Sequence, residues 1–498
     1  MPEQVYLGVD LGAESGRVMA GLWGGNQMRL ESVHRFPNEP VAMGNGLHWD
    51  TARLWFEIQN GLTAAARTYG SRIVSVGVDT WGVDFALLSK SSELLGQPYH
   101  YRDARTRGML DEAFARVPRA EIFAETGLQF MELNTLYQLL ALQKNSPELL
   151  AQADCLLFTP DYLHWCLSGV RACEFTIAST SQLLHPTGAW SKKLLDQFNL
   201  PAKIFPEVVR PGTRIGTLRD SVSTRTGLGK IAITVPAAHD TGSAVAAAPT
   251  KHTGRANWAY LSSGTWSLLG VEVAKAHVSP RVLELNLTNE GGVDGTYRLL
   301  KNIMGLWLVQ QCRRSFESRG KKLDYAALMP LAAAEPALVS LVDPNDAAFL
   351  NPPDMPRTIQ EFCRATTQPA PQSEGALVRC ALESLALAYQ TTVAALEEVT
   401  GERIEVIHII GGGSRNDLLN QFTADACARP VLAGPVEATA LGNLLIQARG
   451  CGEIGSLAEM RATITRSEEM RAFEPNPATA DAWQQAKARY AKLSQRTK

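Results

Sequence analysis

Four strand-like runs in this chain end in turns built from glycine and small or hydroxyl-bearing residues, and that repeated ending narrows the folds open to it. Residues 5–10 lead into Leu11-Gly12-Ala13-Glu14-Ser15-Gly16-Arg17, and residues 231–235 into Pro236-Ala237-Ala238-His239-Asp240-Thr241-Gly242-Ser243-Ala244. Residues 258–261 lead into Ser262-Ser263-Gly264-Thr265, and residues 404–410 into Gly411-Gly412-Gly413-Ser414. Turns of this kind expose backbone N–H groups, which suit phosphate. The common nucleotide signatures are missing all the same. Gly227-Leu228-Gly229-Lys230 runs into Ile231 without completing GxxxxGK[ST], and no GxGxxG opens a helix. A nucleotide bound here has to use another architecture.

The 498 residues are too many for one ordinary core, so two domains of comparable size are expected. The β-rich run at 18–22 and the turn at Gly24-Gly25 make the opening segment a hairpin, and 258–270 repeats the strand–turn–strand pattern. The echo suggests an old duplication. Leu54, Ile58 and Leu62 have helical spacing, residues 73–78 read as a strand, and strands and helices then alternate as in an α/β protein. Ser373 caps a long helix carrying Leu377, Ala381, Leu385, Tyr389, Val393 and Leu396, and Gly401 stops it. The small-residue run and the Pro-Thr-Lys-His-Thr-Gly stretch at 245–254 read as a hinge between domains.

Hydrophobic residues at 45%, charged residues at 20% and a net charge of −2 describe a globular protein without the basic footprint of nucleic-acid or acidic-membrane binding. No apolar run of about 18 residues predicts a membrane helix. Met1-Pro2-Glu3-Gln4 enters the first strand directly, so no signal peptide and a cytoplasmic location are expected. The eight cysteines show no CxxC pair and no zinc spacing. They read as reduced thiols, with Cys363 and Cys380 placed to pair across a proline-containing loop if oxidised.

The turn at 10–17, the segment Asp79-Thr80-Trp81-Gly82-Val83-Asp84-Phe85 with Tyr101-Arg102-Asp103-Ala104-Arg105-Thr106, the run at 239–244, Leu261-Ser262-Ser263-Gly264-Thr265-Trp266, and Gly411-Gly412-Gly413-Ser414 together resemble the FGGY family of carbohydrate kinases. In that order they match its first phosphate loop, sugar-binding stretch, catalytic-base motif, second phosphate loop and adenosine motif. The resemblance implies two ribonuclease-H-like domains of the actin-like ATPase superfold facing across a cleft. Residues 1–247 would form the sugar-binding side and residues 248–498 the nucleotide-binding side. Thr288-Asn289-Glu290-Gly291-Gly292, Lys301-Asn302-Ile303-Met304-Gly305-Leu306-Trp307, the Asp79 stretch and His239-Asp240-Thr241 resemble the branch acting on L-rhamnulose. The first loop, Gly12-Ala13-Glu14, departs from the family's usual Gly-Thr-Thr type in the same direction. The activity implied is transfer of phosphate from Mg²⁺-ATP to the C1 hydroxyl of L-rhamnulose, in L-rhamnose degradation. Another ketose or polyol as acceptor, or a non-catalytic nucleotide-binding regulator on the same superfold, stays open. So does the choice between monomer and homodimer.

Phosphoryl transfer to a hydroxyl needs a carboxylate at the attacking oxygen, and the resemblance gives that role to Asp240. Its position before Thr-Gly-Ser-Ala fits a helix N-cap equally well. Asp10 is implied to lie near Mg²⁺ through water, or to be a turn residue. Ala13, Glu14, Ser15, Gly16 and Arg17 are expected at the ATP phosphates, with the Glu14 side chain turned away. Thr265, Gln310, Gly411, Gly412 and Gly413 are expected at the nucleotide. Gly82, Asp84, His239, Thr241 and Asn302 are expected at the sugar, where fixed donors and acceptors reject analogues. Asp84 reads equally as a buried structural carboxylate and His239 as a core histidine. Trp81, Trp266 and Trp307 read as core residues, and Arg102 and Arg105 as partners of nearby carboxylates.

Overall fold

The computed structural model describes residues 3–494, so the sequence expectation about Met1 and Pro2 lies outside the described residues. The chain divides into two compact units that are not contiguous in sequence. The first takes in the described chain up to Gly254 together with Glu272–Leu299 and Ala438–Glu468. The second takes in Arg255–Val271, Leu300–Glu437 and the chain from Glu469. These contact-defined units do not follow the linear division at 247/248, since Glu272–Leu299 and Ala438–Glu468 lie with the first unit.

In the first unit, Gln4–Leu11 and Ser15–Trp23 form the expected hairpin, and Met28–Pro37 extends it antiparallel. On the other side Gln4–Leu11 pairs parallel with Ile73–Thr80, which pairs parallel with Ala232–Thr234. Arg214–Thr217 closes that edge antiparallel. Val5, Tyr6, Leu7, Val9 and Leu11 are fully buried. A central strand covered on both faces reads as a continuous apolar run rather than an alternating one. The helix Thr51–Tyr69 buries Leu54, Ile58 and Leu62, as their spacing requires.

Residues 245–248, expected as part of a hinge, are not exposed linker. They close the short helix Asp240–Ala246 and are buried, and only Lys251, His252 and Thr253 are exposed. The reason lies two hundred residues away in the helix Ala438–Gly450, which packs on Asp240–Ala246 and on the first strand. Contact is so close that a Cβ on Gly442 would lie 1.9 Å from the Ser243 carbonyl oxygen. Small residues were needed there for packing, and flexibility was the wrong inference from them.

The second unit repeats the plan. Trp258–Ser263 and Trp266–Val273 form a hairpin, and Trp258–Ser263 pairs parallel with Val406–Ile410. That strand pairs parallel with Val431–Ala433, and Arg471–Phe473 follows antiparallel. The long helix is Glu374–Thr400. Ser373 Oγ accepts its Ala376 N–H at 3.0 Å, and Gly401 ends it at φ 69°. Cys363 and Cys380 are buried and unbridged, and the interaction between their thiols holds the pKa of the first down and pushes that of the second up. Among the described residues no helix is long and apolar enough to cross a membrane.

Gly442→Ala should cost about 1–3 kcal/mol by overpacking, read as a lower denaturation midpoint at unchanged slope. A midpoint equal to the parent's would mean that the helix contact is not as tight as drawn.

Candidate active site

Parallel pairing aligns strand ends, so residues just past those ends gather on one edge of a sheet. In the first unit the register sets Asp10 beside Asp79 on adjacent strands and Asp10 opposite Arg17 across the hairpin. Arg17, expected at a phosphate, gives both Nε (2.9 Å) and Nη2 (2.6 Å) to Asp10 Oδ2. Asp79 is fully buried. Its Oδ2 accepts from Asn443 Nδ2 at 2.5 Å, and its Oδ1 has no hydrogen-bond partner. Burial and, next, the charge of Asp10 push its carboxyl well above the usual range. The loop after the first strand turns tightly through a Gly12 N–H bond to Ser15 O at 2.9 Å. Asn38 braces it, giving Nδ2 to Gly12 O at 2.7 Å and its backbone N–H to Glu14 O at 3.1 Å. Ala13 and Glu14 are half-buried and Ser15 is exposed. Gly16 is glycine for packing, since a Cβ would lie 2.3 Å from the Phe36 ring.

Asp240 begins its helix, and His239 is the capping position, without a side-chain cap bond. The N-cap alternative for Asp240 is thereby set aside. Its Oδ1 accepts from Thr241 N at 2.5 Å and Thr241 Oγ1 at 3.1 Å. No described residue donates to Oδ2, and the side chain keeps 31% exposure. Burial of the rest of the group raises its pKa, opposed by His239 and reinforced by Asp10. The preceding backbone is pinned from below. Ala238 N–H bonds Glu174 Oε2 at 3.0 Å, His239 N–H bonds Thr176 Oγ1 at 3.1 Å, and Thr80 N–H bonds Ala238 O at 2.9 Å.

His239 is buried, with Nε2 3.5 Å from Asp240 Oδ1 and Nδ1 3.1 Å from Arg298 Nη2 and 3.2 Å from Glu290 Oε2. Gly82 lies against the same ring, where a Cβ would stand 3.4 Å from His239 Nε2. Next to it Val83 has φ 68°, a left-handed backbone that a β-branched residue adopts at a cost of about 1–3 kcal/mol. Thr180 Oγ1 accepts its N–H at 3.0 Å and Thr135 Oγ1 donates to its carbonyl at 2.7 Å, which holds the strained turn open.

Asp84 takes the structural of its two readings. Its Oδ2 accepts from Trp49 Nε1 (2.6 Å), Trp81 Nε1 (3.0 Å) and Tyr101 N (3.1 Å), and Oδ1 from Gln138 Nε2 (2.8 Å). Burial pushes it up to about 6, while these donors favour the ionised form. With four donors converging on it, the carboxylate ties the wall together. Trp81 packs on Trp49 with centroids 3.9 Å apart, a core role. Arg105 stacks on Tyr99 and bonds Gln138 Oε1 at 2.7 Å, with Asp103 Oδ1 3.7 Å away. Arg102 lies over Tyr101 at 5.3 Å.

In the second unit Gln310 Nε2 reaches Thr265 Oγ1 at 3.3 Å, so two residues 45 apart in sequence meet. The turn at Thr265 is held by Gly305 and Trp307 N–H bonds to Thr265 O at 3.1 and 3.2 Å. Trp307 Nε1 bonds Phe349 O at 3.2 Å and is core, while Trp266 is half-buried. The three glycines have different reasons. Gly411 has φ 83°, and a Cβ on Gly413 would lie 2.0 Å from Ser263 Oγ, whereas Gly412 faces open space. Packing or backbone angle alone accounts for glycine at 411 and 413, and neither does at 412. Asn302, half-buried on Tyr297–Met304, belongs to the second unit.

Sequence reasoning did not choose Asp79, Glu290, Arg298 or Val83 as site residues. Asp79 and Glu290 stood inside the motif stretches, so a signal existed. Val83's backbone has no trace in its side-chain type.

A family model for the N-terminal domain of FGGY carbohydrate kinases matches residues 5–247, and one for the C-terminal domain matches residues 259–451. The chain belongs to the FGGY family of carbohydrate kinases. It is 46% identical over 479 residues to a rhamnulokinase of Bacteroides thetaiotaomicron, covering 96% of this chain and 97% of that one. A rhamnulokinase of Pectobacterium carotovorum is 45% identical over 94% of this chain and 92% of its own length. Another, from Oceanobacillus iheyensis, is 39% identical over 95% and 98%. Among solved structures, a gluconate kinase from Lactobacillus acidophilus superposes with TM-score 0.81 at 16% identity, covering 99% of this chain and 98% of that one. Plasmodium falciparum glycerol kinase with ADP gives TM-score 0.78 at 16% identity, with coverage of 99% and 98%. The mixed α/β two-domain fold is thus that of the sugar kinases, and the chain is a phosphotransferase acting on a carbohydrate hydroxyl.

Gly412→Ala should leave folding stability within about 0.5 kcal/mol and act, if at all, on nucleotide KM. Gly413→Ala should lower stability by about 1–3 kcal/mol, measured in the same denaturation series. Equal costs at both positions would count against the packing assignment.

Proposed function

We propose that the chain is an ATP-dependent kinase for L-rhamnulose, phosphorylating the C1 hydroxyl to give L-rhamnulose 1-phosphate and ADP. The relatives named rhamnulokinase, 39–46% identical over more than nine-tenths of the chain, support the acceptor. The observation that carries the chemistry is the Asp240 carboxylate, with Oδ1 committed to Thr241 and Oδ2 free and partly exposed. As the C1 oxygen attacks the γ-phosphorus, Asp240 Oδ2 takes its proton. The raised pKa makes it a stronger base than an ordinary aspartate. Gly82, His239, Thr241 and Asn302 hold the ketose, and Asp84 supports the wall beside them.

The backbone of Ala13, Glu14, Ser15 and Gly16, with Thr265 from the second hairpin, suits the ATP phosphates. Gln310 orients Thr265, and the turn at Gly411, Gly412 and Gly413 suits the adenosine. Arg17 orients Asp10. Among the described residues no group of three or more His, Cys, Asp or Glu side chains is arranged to hold a metal ion. Mg²⁺ needs few carboxylates, because it keeps several waters and binds phosphates. Asp10, beside the unpartnered Asp79 Oδ1, fits a hydrated cation that would neutralise phosphate charge. We place the reaction in the cytoplasm, where ATP is supplied.

A coupled ADP-release assay should show the highest kcat/KM with L-rhamnulose among L-rhamnulose, L-fuculose, L-xylulose, D-xylulose, L-ribulose and glycerol. A preference for another member would move the substrate and keep the mechanism. Asp240→Ala should keep ATP binding and lose at least about a hundredfold in kcat. Turnover near the parent rate would remove Asp240 from the base role.

A further inference from the structure

The proposed base does not stand alone. His239 adjoins it, and behind His239 lie two residues that the assignment above leaves without a role. Glu290 sits on the strand Thr288–Gly291 and Arg298 near the start of Tyr297–Met304. Both are buried, with side-chain exposures of 5% and 1%. Arg298 Nε donates to Gly291 O at 2.9 Å, which fixes the guanidinium plane. Its Nη2 then lies 3.1 Å from His239 Nδ1 and 3.1 Å from Glu290 Oε2.

A guanidinium has hydrogens and no acceptor. A nitrogen 3.1 Å from Nη2 is therefore attractive only as a lone pair. Were Nδ1 protonated toward Glu290, 3.2 Å away, two N–H groups would face each other across the Nη2–Nδ1 gap. Nη2 is placed to donate to Nδ1, and Glu290 Oε2 stands 3.1 Å from Nη2 as its counter-charge. Glu290 serves to neutralise the buried guanidinium, and the imidazole proton is left on Nε2, the atom facing Asp240 Oδ1 at 3.5 Å.

We propose that Arg298 is a positioning residue that fixes His239 as its Nε2–H tautomer, so that the ring presents a donor to the Asp240 side of the sugar site. The inference rests on Asp240 being the base. A ring so held cannot offer Nε2 as a competing proton acceptor. Its N–H favours the charged form of Asp240 from the Oδ1 side and leaves Oδ2 for the hydroxyl. The other charged groups around Asp240 and its backbone are Asp10 and Asp79, with Arg17 on Asp10, and Glu174 beneath Ala238.

Nitrogen-15 imidazole spectra of the full-length enzyme, with the His239 signal assigned by its loss in His239→Asn, should show Nε2 protonated and Nδ1 bare. Glu290→Gln/Arg298→Met removes both charges together and so avoids stranding a buried carboxylate. It should lose the fixed tautomer and at least about tenfold in kcat with KM for ATP within about twofold. Arg298→Lys, which keeps a donor, should retain the tautomer. A purely structural role would lower stability and leave the ring pattern unchanged. Nδ1 protonated in the parent enzyme overturns the proposal, with no folded variant needed. An unaltered pattern and kcat in the double variant overturns it as well. Near-parent turnover by Asp240→Asn would instead strike the base assignment alone, since the ring spectrum of that variant still reads the tautomer.

Discussion

Two carboxylates side by side on adjacent parallel strands, Asp10 and Asp79, set the terms for everything around them in the first unit. Like charges at that spacing cannot both ionise cheaply. The fold answers by treating them differently. Asp10 is held by Arg17 across the hairpin. Asp79 is fully buried, bonded by Asn443 and pushed toward the neutral acid. One strand end is thus paired with a guanidinium and the next is bonded by an amide.

That arrangement depends on the helix Ala438–Gly450. Asn443 bonds Asp79, Gln447 bonds Asn443 Oδ1 at 2.6 Å and Leu7 O at 2.9 Å, and Gly442 admits the backbone of the Asp240 helix. The same helix therefore backs the acid pair and seats the proposed base. Gly77, whose Cβ would come within 2.5 Å of Thr234 O, allows the strands between them to pack without side-chain intrusion. Polar satisfaction and close packing are supplied by one element, so disturbing it alters both.

The hairpins, the cap at Ser373 and the stop at Gly401 were legible because each follows from local backbone chemistry. The site edges were legible because glycine and hydroxyl turns after strands announce themselves. Asp84 was open to a sugar and a structural reading because a lone aspartate does not reveal that two indoles, an amide and a backbone N–H converge on it. Residues 245–248 were misplaced as hinge because small side chains serve flexibility and close packing alike.

By itself the sequence determined the α/β class, the repeated strand–turn–strand plan and, through short motifs, the family, whose resemblance implies Asp240 as the candidate base; each is written within a few residues. Tertiary structure alone decided which charges are spent on one another, as with Arg17 on Asp10 and Arg298 on Glu290. It alone decided which glycines are packing glycines, and which oxygen of Asp240 stays free. The reason is physical: desolvation and hydrogen bonding are set by neighbours brought together from hundreds of residues apart, and no local pattern records them.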